Sequence, residues 1–517
     1  MSTITTSKEA PPTSGSPRLR RNAVGFWALL AQSVALISPT MTAVLIIGLA
    51  FADSGRGTWA AYLFGTIMLL FVVLGLNQFA KRSSTAGSMY AYTARGLGPA
   101  AGILSGWTLL WSYLFIATVG LAGVAIFAAQ LMGSLGITGH VSPLVWFAIS
   151  GALCGTIAWK DIRISSLLTL VFEALSVSCI LVLAFIILFK HGVSVDTNAL
   201  ALKGVTIKGM DFAIVICIFS LVGFESATAL GGEAKDATRT VPRAVMCSLL
   251  ITGAFMVFMS YVEVFATQHG PSLGSLAVPL NSIAGAYHVP VFRGLVSIGA
   301  IVSFFSLSLS CLNAGARIIF PLGGHGFLPK RLHASHPKNM TPHMALAAYG
   351  AVILTVAVVL HLAAGWNMLT EFGDAGTLAA FGFLLAYFLI AIASPFYLKK
   401  LGELRRRNVV IAVLGFACLL VPTVGSFYPA PPSPINLFPY IFLGYMVIGG
   451  GWLFLLSRRQ PGTLGAIEAS LERALEASVH AAVDPDHDRV SIDQPPAFGL
   501  GAAARPGVTA ATRPEQI

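Results

Sequence analysis

The sequence predicts an all-α integral membrane protein with twelve transmembrane helices, and three observations predict it. The 517 residues are 56% hydrophobic and 10% charged, with a mean hydropathy of +0.79, more apolar surface than a water-soluble core can hide. Twelve apolar runs are each long enough to cross a hydrocarbon layer of about 30 Å as a helix. The basic residues are then divided unequally between the two sets of connections. With the N-terminus cytoplasmic, 27 of the 32 Lys and Arg residues fall on the cytoplasmic side, the exceptions being Arg56, Lys190, Lys203, Lys208 and Arg293. The positive-inside rule then places both termini in the cytoplasm, and the cytoplasmic (plasma) membrane is the expected location. A net charge of +11 is thus a topology signal and implies no nucleic-acid partner. The 52 glycines suit close helix packing in lipid.

In chain order, residues 1–22 are polar, rich in Ser, Thr and Pro, and end in Arg18, Arg20 and Arg21, as expected of a disordered cytoplasmic N-terminus. The apolar run that follows is too long for a signal-peptide core and has no clear small-residue cleavage site, so it reads as a retained helix. The spans are expected near 24–51, 58–80, 98–132, 141–159, 165–189, 211–231, 244–267, 292–322, 344–365, 375–397, 409–427 and 437–457. The third and eighth exceed a perpendicular crossing and imply tilt or extension beyond the membrane. The transporter-sized domain is thus 23–457, followed by a polar cytoplasmic tail, 458–517, expected to be mostly disordered. Within it, Leu464, Ile467, Leu471 and Leu475 recur at helical spacing, with Glu468, Glu472 and Glu476 elsewhere. That pattern predicts a short amphipathic helix over Leu464–Val479, either regulatory or simply solvated.

The six cysteines fall singly in hydrophobic stretches, with no C-x-x-C pair, and read as small apolar fillers rather than metal ligands or disulfides. No Walker lysine motif is present, which argues against ATP as the energy source. No nucleophile–base set assembles, so no enzyme, cofactor or metal site is expected.

Two spans are interrupted. Span six contains FSLVGFESATALGG, with Gly223 and Glu225 near the middle of the apolar run. A charge at that depth costs about 2.5–3.5 kcal/mol on insertion scales, so it needs a partner, a proton or a water-filled cavity. Span one carries Ser38-Pro39-Thr40 at mid-depth, where proline removes a backbone donor and frees carbonyls. A plain kink and a packing-only glutamate are the bland alternatives. Interruptions in corresponding spans of two halves are the better pointer to a midplane site. Half-helix N-termini there would hold a carboxylate, and exposed carbonyls an ammonium or other cation. A zwitterionic amino acid suits those two poles.

The run GFESATALGGEAKDATRTVPRAV (223–245) resembles the sixth-helix signature of the amino acid–polyamine–organocation superfamily of permeases. The stretch NAGARIIFPLGGHGFLPKRLHASHPKNMTPHMAL (313–346) is similar to that superfamily's eighth-helix exit. The resemblance implies a five-plus-five inverted repeat, about 23–190 against about 209–398, with discontinuous helices one and six. It adds two further helices, about 408–457, that serve oligomer contacts and suggest a homodimer. It implies that Phe219 is an aromatic gate over the substrate and that Glu225 is the family's span-six carboxylate. Ser38, Pro39, Thr40 and Met41 stand where the family's usual G-x-G substrate loop lies; with Phe219, Gly223, Phe224 and Glu225 they form the expected substrate site. Glu173, thirteen residues after Lys160, stands where proton-coupled relatives carry a lysine in place of a sodium ion. A glutamate there is either a proton carrier or a carboxyl bonded to hydroxyls of span one or eight. Ser306 and Ser310, i,i+4 on span eight, either face a cation site or bond their own helix. Glu263 is expected to snorkel or be solvated near the outer end of span seven.

The expectation is a secondary active transporter of amino acids or related amines, working by alternating access with proton symport. Glu173 and Glu225 are its coupling candidates, with Ser306 and Ser310 beside them. An exchanger, and a membrane nutrient sensor signalling through its tail, are the alternatives.

Overall fold

The computed structural model describes residues 19–459 except 21, 84–88, 138, 140, 161, 191–196, 269–271, 363, 364, 366 and 429–432, together with residue 465. The helix expected over Leu464–Val479 therefore lies outside the described residues except at position 465, as does most of 1–22. Among the described residues the structure is helical, with one isolated parallel backbone bridge, between Val24 and Ala234.

Eleven described segments are long and apolar enough to cross a membrane. The first, Phe26–Ala80, has 55 residues, far more than one crossing needs at about 1.5 Å per residue. A tight turn at Gly55–Gly57 divides it, with Gly55 at φ 53, so it holds two of the twelve expected spans. The others run Pro99–Ser134, Pro143–Lys160, Ile162–Lys190, Ile207–Glu233, Ala237–Ala266, Val291–Gly324, His343–Leu362, Met368–Lys400, Arg406–Gly425 and Phe438–Arg459. The breaks fall in spans one and six, five apart, as the inverted repeat requires.

Two span starts follow capping rather than hydropathy. Span six opens at Ile207 because the Thr206 hydroxyl accepts from the Gly209 amide at 3.1 Å, and Asn367 caps span ten through the Thr370 amide at 2.9 Å. Each cap satisfies an amide that the helix itself leaves without an acceptor. Span ten thus begins seven residues before the apolar run and carries Glu371 and Asp374 inside the helix. Span seven also begins ahead of its apolar run, at Ala237 and without a side-chain cap, and continues through Pro242, whose carbonyl accepts from Asn77 Nδ2 at 3.2 Å.

Spans three, eight and ten pack together through small residues. A methyl group on Gly120 of span three would meet the Phe304 carbonyl oxygen of span eight at 2.8 Å; one on Gly382 of span ten would meet the Thr108 carbonyl oxygen at 2.6 Å. Such close backbone approach is how helices associate where lipid competes for apolar contact. Trp111 and Ser112 of span three lock it to span ten through the carbonyls of Leu378 (2.7 Å) and Ala379 (2.9 Å). The most apolar window of span six is 83% buried, against 17% for span twelve. Span twelve instead turns residues such as Val447 and Ile448 outward, a face suited to lipid.

Candidate functional site

The site is built where the two broken spans meet. The first helical half of span one, Phe26–Ile37, ends at Ser38, which adopts a left-handed conformation with φ 50. Pro39 follows, and the helix resumes over 39–54 with a π turn at Thr42–Ile46. In span six the helix stops at Leu221, Val222 is extended, and Gly223 turns with φ 106 into a tighter 3-10 segment, Phe224–Glu233. Only glycine takes that φ without a side-chain penalty. The absent side chain also matters for packing: a Cβ on Gly223 would meet the Leu36 carbonyl carbon at 3.2 Å and the Ile37 nitrogen at 3.3 Å. The two breaks therefore touch. Ser33 joins them further, donating to the Phe224 carbonyl at 2.7 Å and accepting from the Ala227 amide at 3.1 Å. Ser226 returns a bond to the Gln32 carbonyl at 3.2 Å.

Glu225 is fully buried at this junction. Its Oε1 accepts from the Tyr113 hydroxyl of span three at 2.9 Å; its Oε2 accepts from the Tyr387 hydroxyl of span ten at 2.5 Å and from the Gly223 amide at 3.1 Å. Phe224 stacks on Tyr387 with ring centroids 5.0 Å apart. One carboxyl thus gathers the centre of the bundle onto the span-six break, with donors enough to hold it within a low-dielectric interior.

Glu173 is the second buried carboxyl, 2% exposed. Its Oε1 accepts from the Thr40 amide at 3.4 Å and the Thr40 hydroxyl at 3.1 Å, and its Oε2 accepts from the Ser303 hydroxyl at 2.6 Å. Thr40 shares its hydroxyl proton with Ser176 at 2.8 Å, and Ser303 lies 3.1 Å from the Ser38 hydroxyl. Glu173 therefore joins spans one, five and eight at the span-one break.

The remaining expected residues are placed differently. Met41 is buried beside Thr40, and Phe219 is half-buried one turn before the span-six break. Ser306 donates to its own helix, at the Val302 carbonyl, 2.9 Å away. The Ser310 hydroxyl is buried without a partner among the described residues, while its carbonyl accepts from Gln32 Nε2 at 2.8 Å. The span-eight hydroxyl on Glu173 is that of Ser303, one turn earlier. Glu263 does not reach solvent: it is fully buried, and neither carboxyl oxygen has a partner among the described residues.

Sequence reading missed Tyr113, Tyr387, Ser176 and Ser303, since hydroxyls in an apolar helix carry no local sign of what they face. It also missed a buried ion pair. Arg317 of span eight binds Glu233 at the end of span six through two contacts, 2.7 and 3.1 Å, both side chains being fully buried or nearly so. The Glu233 carbonyl accepts from the Ala23 and Val24 amides, and the Lys235 amide donates to the Val24 carbonyl. An arginine inside the span-eight run and a glutamate just past the end of the span-six run were the available signal. Among the described residues, no group of three or more His, Cys, Asp or Glu side chains could hold a metal ion.

Comparison with known proteins agrees with this architecture. A family model described as amino acid permease matches residues 29–429. The chain is 25% identical over 461 residues to a branched-chain amino acid permease of Bacillus subtilis, covering 84% of this chain and 91% of that protein. It is 26% identical over 377 residues to a low-affinity putrescine importer of Escherichia coli, covering 71% and 78%. A serine/threonine exchanger of Bacillus subtilis is 24% identical over 393 residues, covering 74% and 83%. Among solved structures, a Na+-coupled sialic acid symporter in a substrate-bound outward-open state shares the fold, with a TM-score of 0.50 and 14% identity over 78% of this chain and 89% of that one.

Proposed function

The chain belongs to the amino acid permease family, and from that premise we propose that it carries an amino acid or related amine across the cytoplasmic membrane together with a proton. One observation carries the coupling: the Glu173 carboxyl, buried in an apolar bundle, is hydrogen-bonded to the span-one break and to span eight at once. Adding a proton to it exchanges an acceptor for a donor toward Thr40 or Ser303, and so alters the contacts that hold span one against spans five and eight. Alternating access needs such a link between proton occupancy and the position of a broken helix. Substrate would bind between Ser38–Met41 and Gly223–Glu225, with Phe219 at its edge, and Glu225 would hold the span-six break in shape through Tyr113 and Tyr387. Both termini would be cytoplasmic, by the distribution of Lys and Arg.

Purified full-length protein in liposomes tests this reading. Under an inward proton gradient, labelled substrate should accumulate in empty vesicles, and a protonophore should abolish the accumulation. Uptake that requires unlabelled substrate inside would instead establish exchange, a reading that the similarity to a serine/threonine exchanger keeps open.

A further inference from the structure

The hydrogen bonding at the two breaks narrows the substrate class within this transport reading, on which the inference rests. A helix N-terminus binds an anion through its first amides, which have no acceptor inside the helix. In the second half of span one those amides are nearly exhausted. Pro39 has none, Thr40 gives both its amide and its hydroxyl to Glu173, and the Thr42 amide returns to the Ser38 carbonyl at 3.4 Å. Span six is similar. The Gly223 amide is shared between Glu225 Oε2 and the Tyr387 oxygen, the Ser226 amide bonds the Gly223 carbonyl at 3.1 Å, and the Ala227 amide bonds Ser33.

Each half-helix N-terminus is thus capped by a carboxyl group of the chain itself, Glu173 on one and Glu225 on the other. In either protonation state the Glu173 carboxyl fills the place in front of the Thr40 amide where a substrate carboxylate would sit. An incoming carboxylate would find the Thr40, Thr42, Gly223, Ser226 and Ala227 amides already taken and, with either glutamate ionised, would meet like charge at short range inside a low-dielectric interior. Acceptors, by contrast, remain. Pro39 supplies no N–H to the Ala35 carbonyl, and Thr40 directs its own away from the Leu36 carbonyl, so both lose the donors that a continuous helix would provide. These carbonyls form the negative end of the first half of span one.

We propose that the substrate is a primary aliphatic amine lacking an α-carboxylate, its ammonium held by the freed carbonyls of span one. Glu173 and Glu225 would close the two sites that a zwitterion needs for its carboxylate. Specificity arises here by leaving the wrong substrate's charge unpaired rather than by an added contact to the right one.

The test compares matched pairs that differ only in the carboxylate: putrescine with ornithine, cadaverine with lysine, and isoamylamine with leucine. Initial uptake is measured in proteoliposomes under an inward proton gradient, with protein-free vesicles subtracted. At least one amine should enter tenfold or more faster than its parent amino acid. Thermal stabilisation of the wild-type protein in detergent should follow the same order, a readout that needs no variant to fold. If a parent amino acid is carried as fast as its amine, or faster, the inference is overturned while transport stands. If no compound of either kind enters or stabilises the protein, the transport reading itself fails.

Discussion

At the scale of single residues, the proposed site rests on two carboxyls, and each is held by groups whose removal has a calculable effect. A hydrogen bond to a charged group contributes about 1.5–3 kcal/mol, so Tyr387→Phe, which removes the 2.5 Å donor on Glu225, should slow uptake by roughly tenfold to a hundredfold. Glu225→Gln should impair uptake more than it lowers abundance, because an amide cannot accept from Tyr113, Tyr387 and Gly223 in the same arrangement. Wild-type rates in that variant, at matched expression, would remove Glu225 from the mechanism. Two serines three residues apart offer an internal control at the other carboxyl. Ser303→Ala deletes a donor to Glu173 and should weaken proton-driven accumulation. Ser306→Ala deletes only a bond to its own helix and should leave accumulation close to wild type. Equal effects in the two would detach the Ser303–Glu173 contact from coupling.

At the scale of elements, the breaks in spans one and six are made by different means and meet at one place. Span one is stopped by a proline after a left-handed serine; span six is stopped by a glycine at φ 106. Gly223→Ala would place a strained residue there, at a cost of about 1–3 kcal/mol, and would push its methyl into Leu36 at the other break. Uptake should fall at least tenfold. Gly75→Ala in span two, where an added Cβ meets nothing within 4 Å, should be unaffected, and radiolabelled uptake normalised to surface protein separates the two. These breaks were legible in the sequence because proline, and glycine beside a buried charge, are local signals. Ends of spans seven and ten were less so, since Asp236–Ala237 and Asn367–Met368 begin helices before the apolar composition does. A side-chain cap at Asn367 and backbone bonds to the Asp236 carbonyl set these ends, whereas hydropathy reports only which part of the helix is apolar.

At the scale of the whole molecule, the pair Arg317–Glu233 joins the end of span six to span eight, and the backbone bridge at Val24–Ala234 joins it to the entry of span one. Removing one member of a buried pair strands the other charge, a loss of about 3–5 kcal/mol. Arg317→Met should therefore lower the thermal midpoint of the purified protein sharply. The double variant Arg317→Met with Glu233→Leu should recover most of that loss, since it strands nothing. A double variant as unstable as the single one would show that the pair's geometry, rather than its charge balance, holds this end of the bundle.

Twelve spans, two interruptions and the class of membrane permease are all readable along the chain, because hydropathy and backbone conformation depend on residues within one or two helical turns. Partnership is of another kind. Glu225 meets Tyr387 across 162 positions, Glu173 meets Ser303 across 130, and Gln32 meets Ser310 across 278. Which hydroxyl faces which carboxyl follows from helix rotation and from how closely glycines such as Gly120 and Gly382 let the backbones approach. Those quantities exist only once the helices are packed, so the sequence left Ser306 open between a cation site and a bond to its own helix, and packing puts it on the Val302 carbonyl while Ser303, one turn away on the same helix, meets Glu173.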